Sequence, residues 1–300
     1  MFEKKSLMFY YCTTPLHMGA GTSVGAIDNP IQREVHTNHP MISGSGLKGA
    51  IRHHVSAQWA GERRKDLVAL FGAESTDKEL SAGALSFTDA NLAAFPVRSL
   101  KNTFVYVTCP NALARAKRMS AQAGFDVNWN VPAVADTKAF GADMRSCIDN
   151  KLCLEAYEFE AKTDDNTKQI AAWLAENCLG ESECNKFFKE KIKTDLFIVG
   201  NDYFDFFVKQ STIVEPHVKI DEETGVSVDG ALFYTENLPP ESILVGILLA
   251  SVERVKGDNK MSADSCLDKG LEAINGNLVQ MGGDATTGRG LVLINTVKGA

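Results

Sequence analysis

Across its 300 residues the chain has no apolar run near the roughly 20 residues that a membrane-spanning helix needs. The longest candidate, ILVGILLASV from Ile243, has the length of a buried strand. The lysines in MFEKKSLMFYYCTTP precede only a short aromatic stretch, with no small-residue cleavage pattern after it, so a secretory leader is not expected. The expectation is a cytoplasmic protein with no membrane partner. Cysteine pairs at C-x-x-C spacing are also missing. The seven cysteines are odd in number, and the wider C-x5-C spacings Cys147/Cys153 and Cys178/Cys184 do not suit structural zinc, whose ligand pairs sit about two to four residues apart. Reduced, mostly buried thiols are expected. Internal repeats and low-complexity linkers are absent too. With 44% hydrophobic residues, 1–300 reads as one large domain with insertions.

The net charge of -7 is wrong for a simple nucleic-acid binder, but its distribution is uneven. Residues 1–120 carry 14 Lys and Arg against 9 Asp and Glu, a balance of +5, whereas 121–300 carry 17 against 29, a balance of -12. A basic groove on an acidic body is compatible with that split, and a polyanion responds to the local field.

SLMFYYCTTPLH reads as a strand ending at Pro15, followed by a glycine-rich loop to about Pro40. Ser43 or Ser45 can cap a helix with Leu47, Ile51 and Val55 on one stripe and Lys48 and Arg52 on an adjacent face. RRKDLVALFG reads as a second helix stopped at Gly72, and GALSFTDA and TFVYVTCP as strands. The stretch from about 110 to 196 is polar and helical in flavour, a largely helical insertion anchored by Trp173, Leu174, Phe187 and Phe188. From Phe206 to about Glu236, two β-rich runs around an acidic turn predict a long projecting hairpin. A strand from Ile243, a helix over 262–275 and a final glycine-rich strand pair complete a βαββαβ order. The fold class is α+β, a ferredoxin-like, RRM-like core.

Three constellations carry chemistry. In ISGSGLKGAIR, a helix start with serine, lysine and arginine offers what a phosphate needs, though the Walker spacing G-x-x-x-x-G-K-[ST] is absent; an ordinary capped helix with surface cations is the other reading. In MGGDATTGRGLV, Gly282, Gly283, Gly288 and Gly290 with Thr286, Thr287 and Arg289 can lay main-chain amides along a polyanion, or simply make a turn. In a ferredoxin-like core both loops can converge on one face. Third, Asp28 lies on the first glycine-rich loop with His17 and His36 nearby: a carboxylate there can bind a divalent cation or accept a proton, and it can also serve an Asp-Asn-Pro turn.

HMGAGTSVGAIDNPIQRE, HPMISGSGLKGAIR, PVRSLKNTFVYVTCP, VDGALFYTENLPPES and VQMGGDATTGRGLV, in that order, resemble the RAMP superfamily, and more closely the repeated backbone subunit of type III-B CRISPR effector (Cmr) complexes. The resemblance covers both ends and the middle, leaving about 130–193 unmatched. It implies an RRM-like palm with an inserted thumb hairpin. Copies of the chain would stack along a CRISPR RNA (crRNA) in a helical filament with other Cmr subunits, and each thumb would kink the duplex with target RNA. It further implies a metal-dependent endoribonuclease using Mg2+ or Mn2+, with Asp28 as the essential cleavage residue and candidate metal ligand, supported by His17 and Glu236. Guide contacts would fall to Ser45, Lys48 and Arg52, and to the amides of Gly282, Gly283, Gly288 and Gly290 with Arg289. A non-catalytic crRNA scaffold and the equivalent type III-A subunit are the alternatives.

Overall fold

The computed structural model describes residues 2–23, 25–59, 61, 63–74 and 80–298. In chain order the elements are β1 (Lys4–Cys12), β2 (Met41–Ile42), α1 (Gly44–Gln58), α2 (Arg63–Phe71), β3 (Leu85–Phe87), β4 (Ala90–Arg98) and β5 (Phe104–Thr108). Then come α3 (Pro110–Gln122), β6 (Lys138–Gly141), β7 (Lys151–Leu154), β8 (Tyr157–Thr163), α4 (Asp165–Cys178), α5 (Lys186–Asp195), β9 (Leu196–Ile198) and α6 (Asn201–Gln210). The last are β10 (Ile213–His217), β11 (Phe233–Asn237), β12 (Ile243–Ala250), α7 (Ala263–Ile274), β13 (Asn277–Gln280) and β14 (Leu291–Lys298).

Strands β14, β1, β12 and β4 lie side by side, each antiparallel to its neighbour. Numbered by their place in a βαββαβ chain they are strands four, one, three and two, with α1 and α2 in the first crossover and α7 in the second. That is the ferredoxin-like order the sequence predicts. β1 is buried from Ser6 to Cys12 because both faces of the sheet are covered. Met8, Tyr10 and Cys12 pack with Leu47, Ile51 and Val55 of α1 and with Leu267 and Ile274 of α7. Leu7, Phe9 and Tyr11 turn the other way, to Leu113 of α3 and Ile170 and Leu174 of α4, as the two-residue period of a strand requires.

The 110–196 segment contributes more than helices. It places α3 and α4 on the second face, with Trp173 edge-on to Phe9 at 5.3 Å, and it also extends the sheet through β9, β6, β8 and β7. Leu174 is buried and Phe188 partly so, while Phe187 stays exposed. The hairpin also differs from its predicted extent. Phe206–Gln210 is not a strand but the end of α6, where Phe204, Phe207 and Val208 are buried at helical spacing. β10 and β11 pair only from Ile213 to His217 and from Phe233 to Asn237, and the 218–232 tip between them is largely exposed. Among the described residues, no helix is long and apolar enough to cross a membrane.

Candidate nucleic-acid interface

One edge of β11 pairs with β10; its other edge holds the glycine-rich loop that carries Asp28, hereafter the acidic loop. The Tyr234 N–H donates to Asp28 Oδ2 at 2.7 Å, the Asn29 N–H donates to Tyr234 O at 3.0 Å, and the Glu236 N–H donates to Asn29 O at 3.0 Å. His17 Nδ1 lies 2.7 Å from Glu236 O. Alternate residues of a strand present the same backbone edge, so Asp28 and His17 are anchored two residues apart, roughly 7 Å along the strand. A carbonyl only accepts, so Nδ1 of His17 carries the hydrogen and a neutral ring leaves Nε2 as the free acceptor. Gly19 and Gly283 flank that imidazole: a Cβ at either would come to 2.9 Å from Nε2 or 3.2 Å from Cδ2. Asp28 is partly exposed, and among the described residues its Oδ1 has no hydrogen-bond partner.

Glu236 is a different carboxylate. It is 3% exposed, and both oxygens are occupied: Oε1 accepts from Arg33 Nη2 at 2.5 Å and from Thr212 Oγ1 at 2.8 Å, and Oε2 accepts from the Ile31 N–H at 3.0 Å. As the expected supporting residue for Asp28, Glu236 therefore has no carboxylate oxygen left open toward a ligand. The side chain faces inward, against an arginine that lies remote in sequence, and it can influence Asp28 only by holding the loop.

The two glycine-rich motifs meet across His17 and Met18. The Gly283 N–H donates to His17 O at 2.9 Å and the Gly290 N–H to Pro15 O at 2.8 Å. Gly282, at φ +72°, brings its backbone so close that a Cβ would lie 2.2 Å from His17 O and 3.1 Å from Met18 Sδ. On the other side a Cβ at Gly46 would lie 2.9 Å from Met18 Cε. The predicted convergence is present, but the amides of Gly283, Gly288 and Gly290 do not point outward: they donate to His17, Ala285 and Pro15 carbonyls. The bonds of Gly283 and Gly290 close the loop onto the N-terminal segment, and Gly290, which is buried, must have such a partner for its main-chain donor. Arg289 is likewise committed, through Nη2, to Glu215 of β10.

At the other motif Ser43, not Ser45, is the N-cap; its Oγ accepts from the Gly46 N–H at 3.3 Å. The sequence reading missed Asp89, whose Oδ1 takes the Gly44 N–H at 2.7 Å and brings a carboxylate to this positive helix end. Ser45 is exposed. Lys48 is half-buried and donates to Leu85 O at 3.0 Å; burial, then the charges of Arg254 and Arg52, hold its ammonium below the usual lysine pKa. Arg52 pairs with Glu74 at 3.3 Å. Arg254, from the loop before α7, thus adds a cation to this flank that the motif did not reveal.

Among the described residues no three His, Cys, Asp or Glu side chains gather as metal ligands. The donor set is one open carboxylate oxygen on Asp28. That is compatible with Mg2+, which is commonly held by one or two carboxylates and by substrate phosphates, and not with an all-protein cage.

The RAMP superfamily model matches residues 9–292, which include the acidic loop, both glycine motifs and the hairpin. The chain belongs to the RAMP superfamily. Within the RAMP superfamily it is 33% identical, over 293 residues, to the CRISPR system Cmr endoribonuclease Cmr4 of Pyrococcus furiosus, covering 97% of this chain and 95% of that protein. The crystal structure of oligomeric Cmr4 from P. furiosus has the same fold, with a TM-score of 0.75 at 28% identity and 99% of each chain covered. The CRISPR system Cms endoribonuclease Csm3 of Streptococcus thermophilus is 39% identical over 90 residues, 27% of this chain and 40% of that protein.

Proposed function

We propose that this chain is a backbone subunit of a type III-B CRISPR RNA-guided complex, which binds crRNA and cuts complementary target RNA at regular intervals. Similarity over nearly the whole length of Cmr4 supports this, whereas the likeness to Csm3 is confined to 27% of the chain and favours type III-B over the type III-A equivalent. The oligomeric form of the P. furiosus relative supports stacking of copies, alongside crRNA, target RNA and other Cmr subunits as partners. The observation that carries the reading is the seam at His17 and Met18, where motifs from opposite ends of the chain close beside a partly exposed aspartate at the hairpin root.

Ser45, Lys48 and Arg52 would meet the guide backbone, with the exposed 282–288 loop at their side; reading phosphates and sugars leaves sequence to base pairing. The hairpin would displace a nucleotide, freeing its 2'-hydroxyl from A-form geometry to line up with the adjacent phosphate. The 2'-oxygen then forms its bond to phosphorus, the 5'-oxygen leaves, and a 2',3'-cyclic phosphate and a 5'-hydroxyl remain. Asp28 Oδ1 would align or accept the 2'-hydroxyl proton, and His17 Nε2 is a second base on the same strand edge. A divalent cation, Mg2+ or Mn2+, shared between Asp28 and RNA phosphates, would supply charge neutralisation.

One observation favours a second reading, a non-catalytic scaffold: Asp28 accepts the Tyr234 N–H, so it can serve the turn alone. In assembled complex, Asp28→Asn should slow every regularly spaced cut in a complementary RNA by about 100-fold or more while guide and target binding persist. Unchanged cutting by that variant selects the scaffold.

A further inference from the structure

Asp28 sits on a loop held from two sides: on one, the Ser23 N–H donates to Asp28 O and the Ala20 N–H to Pro30 O, both at 2.9 Å. On the other, two main-chain hydrogen bonds, Asn29 N–H to Tyr234 O and Glu236 N–H to Asn29 O, attach it to β11. The chain then continues through Pro30 to Arg33, whose guanidinium is bonded to three separate parts of the molecule. Nη2 donates to Glu236 Oε1 at 2.5 Å, and Nη1 donates to Asn38 O at 2.8 Å and Val208 O at 3.0 Å. Val208 lies in the last turn of α6, where carbonyls lack helical partners and a cation is favoured. Asn38, at φ +60°, closes the turn that follows Arg33. Both partners of the ion pair are shielded, with side-chain exposures of 16% for Arg33 and 3% for Glu236.

From this we infer that Arg33, through Glu236, is the positioning residue that fixes Asp28 on the edge of β11. The inference rests on the reading of Asp28 as the cleavage residue. Glu236 fixes two points of the loop: its Oε2 takes the Ile31 N–H, three residues after Asp28, and its Oε1 takes Arg33. Its own main chain fixes Asn29 and His17. Rotating the Glu236 side chain away would release Ile31 and Arg33 together and leave the Asp28 loop to its main-chain bonds with residues 18–23 and β11. The planar fork of arginine serves a carboxylate and two carbonyls at once; the single ammonium of lysine keeps the charge and loses that geometry. Neither residue reaches the reacting atoms, so the pair acts on the rate and not on the affinity for RNA.

The test uses the assembled complex with guide RNA and a complementary target, comparing Arg33→Lys, Glu236→Gln and Asp28→Asn with the unaltered chain. Guide loading, target affinity and single-turnover cutting rate are measured on each. A misplacement of about 1 Å is worth about 100-fold in rate. Arg33→Lys and Glu236→Gln are therefore expected to cut roughly 10- to 100-fold more slowly, with guide loading and target affinity within about threefold. If Asp28→Asn fails to cut while both pair variants cut at the normal rate, the positioning role is overturned and the reading of Asp28 stands. If Asp28→Asn cuts normally, the reading beneath the inference fails and the inference with it. Should Arg33→Lys not assemble, Glu236→Gln carries the comparison; loss of assembly in both overturns positioning in favour of a purely structural pair.

Discussion

The two glycine-rich motifs look alike as sequence and are held in place by different means. The start of α1 is fixed largely by its own surroundings, with Ser43 capping Gly46, Asp89 taking the Gly44 N–H, and the Leu47–Ile51–Val55 stripe buried beneath. The 282–290 loop has turn bonds of its own, but its place against the N-terminal segment depends on Pro15 O and His17 O as acceptors from the other end of the chain. The first motif thus meets the seam only at its edge, through Gly46 against Met18 and the Ser43 N–H to Gln32 Oε1, whereas the second is part of the same construction as His17 and the acidic loop. Damage to the first should affect RNA binding alone, whereas damage to the second should spread to the fold and to cleavage.

Gly282→Ala tests the second half of that contrast most severely. Its Cβ would have to lie 2.2 Å from His17 O at a φ of +72°, so the loop must detach, at a cost of about 3 kcal/mol in denaturant unfolding with cutting lost as well. An alanine that left both stability and cutting intact would break the comparison. Lys48→Ala probes the first half: guide affinity should fall by about tenfold at low salt and the slope of log affinity against log salt should flatten by about one, with unfolding almost unchanged. Gly288→Ala separates conformation from contact, since φ is +80° but nothing lies within 4 Å of the added Cβ; about 1 kcal/mol of stability should be lost and cutting retained. Gly49→Ala is the mildest, a mid-helix glycine with open space around its Cβ, and should raise stability by about 0.5–1 kcal/mol without altering RNA binding.

Much of the palm was legible because its signals are local or periodic. β1 announces itself by a run of aromatic and apolar residues, and α1 and α7 by buried positions that recur at helical spacing. The convergence of the two glycine motifs followed from strand order. What escaped was set by distant or ambiguous chemistry. FFVKQ has aromatic and β-branched residues suited to a strand, yet the i, i+3, i+4 burial of Phe204, Phe207 and Val208 makes it helix. β8 did carry a two-residue signal, with Phe159 and Ala161 buried between exposed Glu158 and Glu160, but it is short and lies in a polar stretch. The direction of the Gly283 and Gly290 amides left no trace in the sequence, because glycine reports that a backbone approaches closely and not whose backbone it is. Nothing near Glu236 in sequence announces its burial, which goes with the pairing to Arg33, 203 residues earlier in the chain.

The bonds from Gly283 to His17 and from Gly290 to Pro15 also set an order of events during synthesis. A nascent chain can make α1 and its cap early, but the acceptors at residues 15 and 17 wait until Gly283 and Gly290, beyond β13, have left the ribosome. A chain still short of residue 290 therefore has no finished seam around His17. The surface around His17 is complete only once residue 290 has emerged, and a chain stopped before it lacks a bond that shapes this surface.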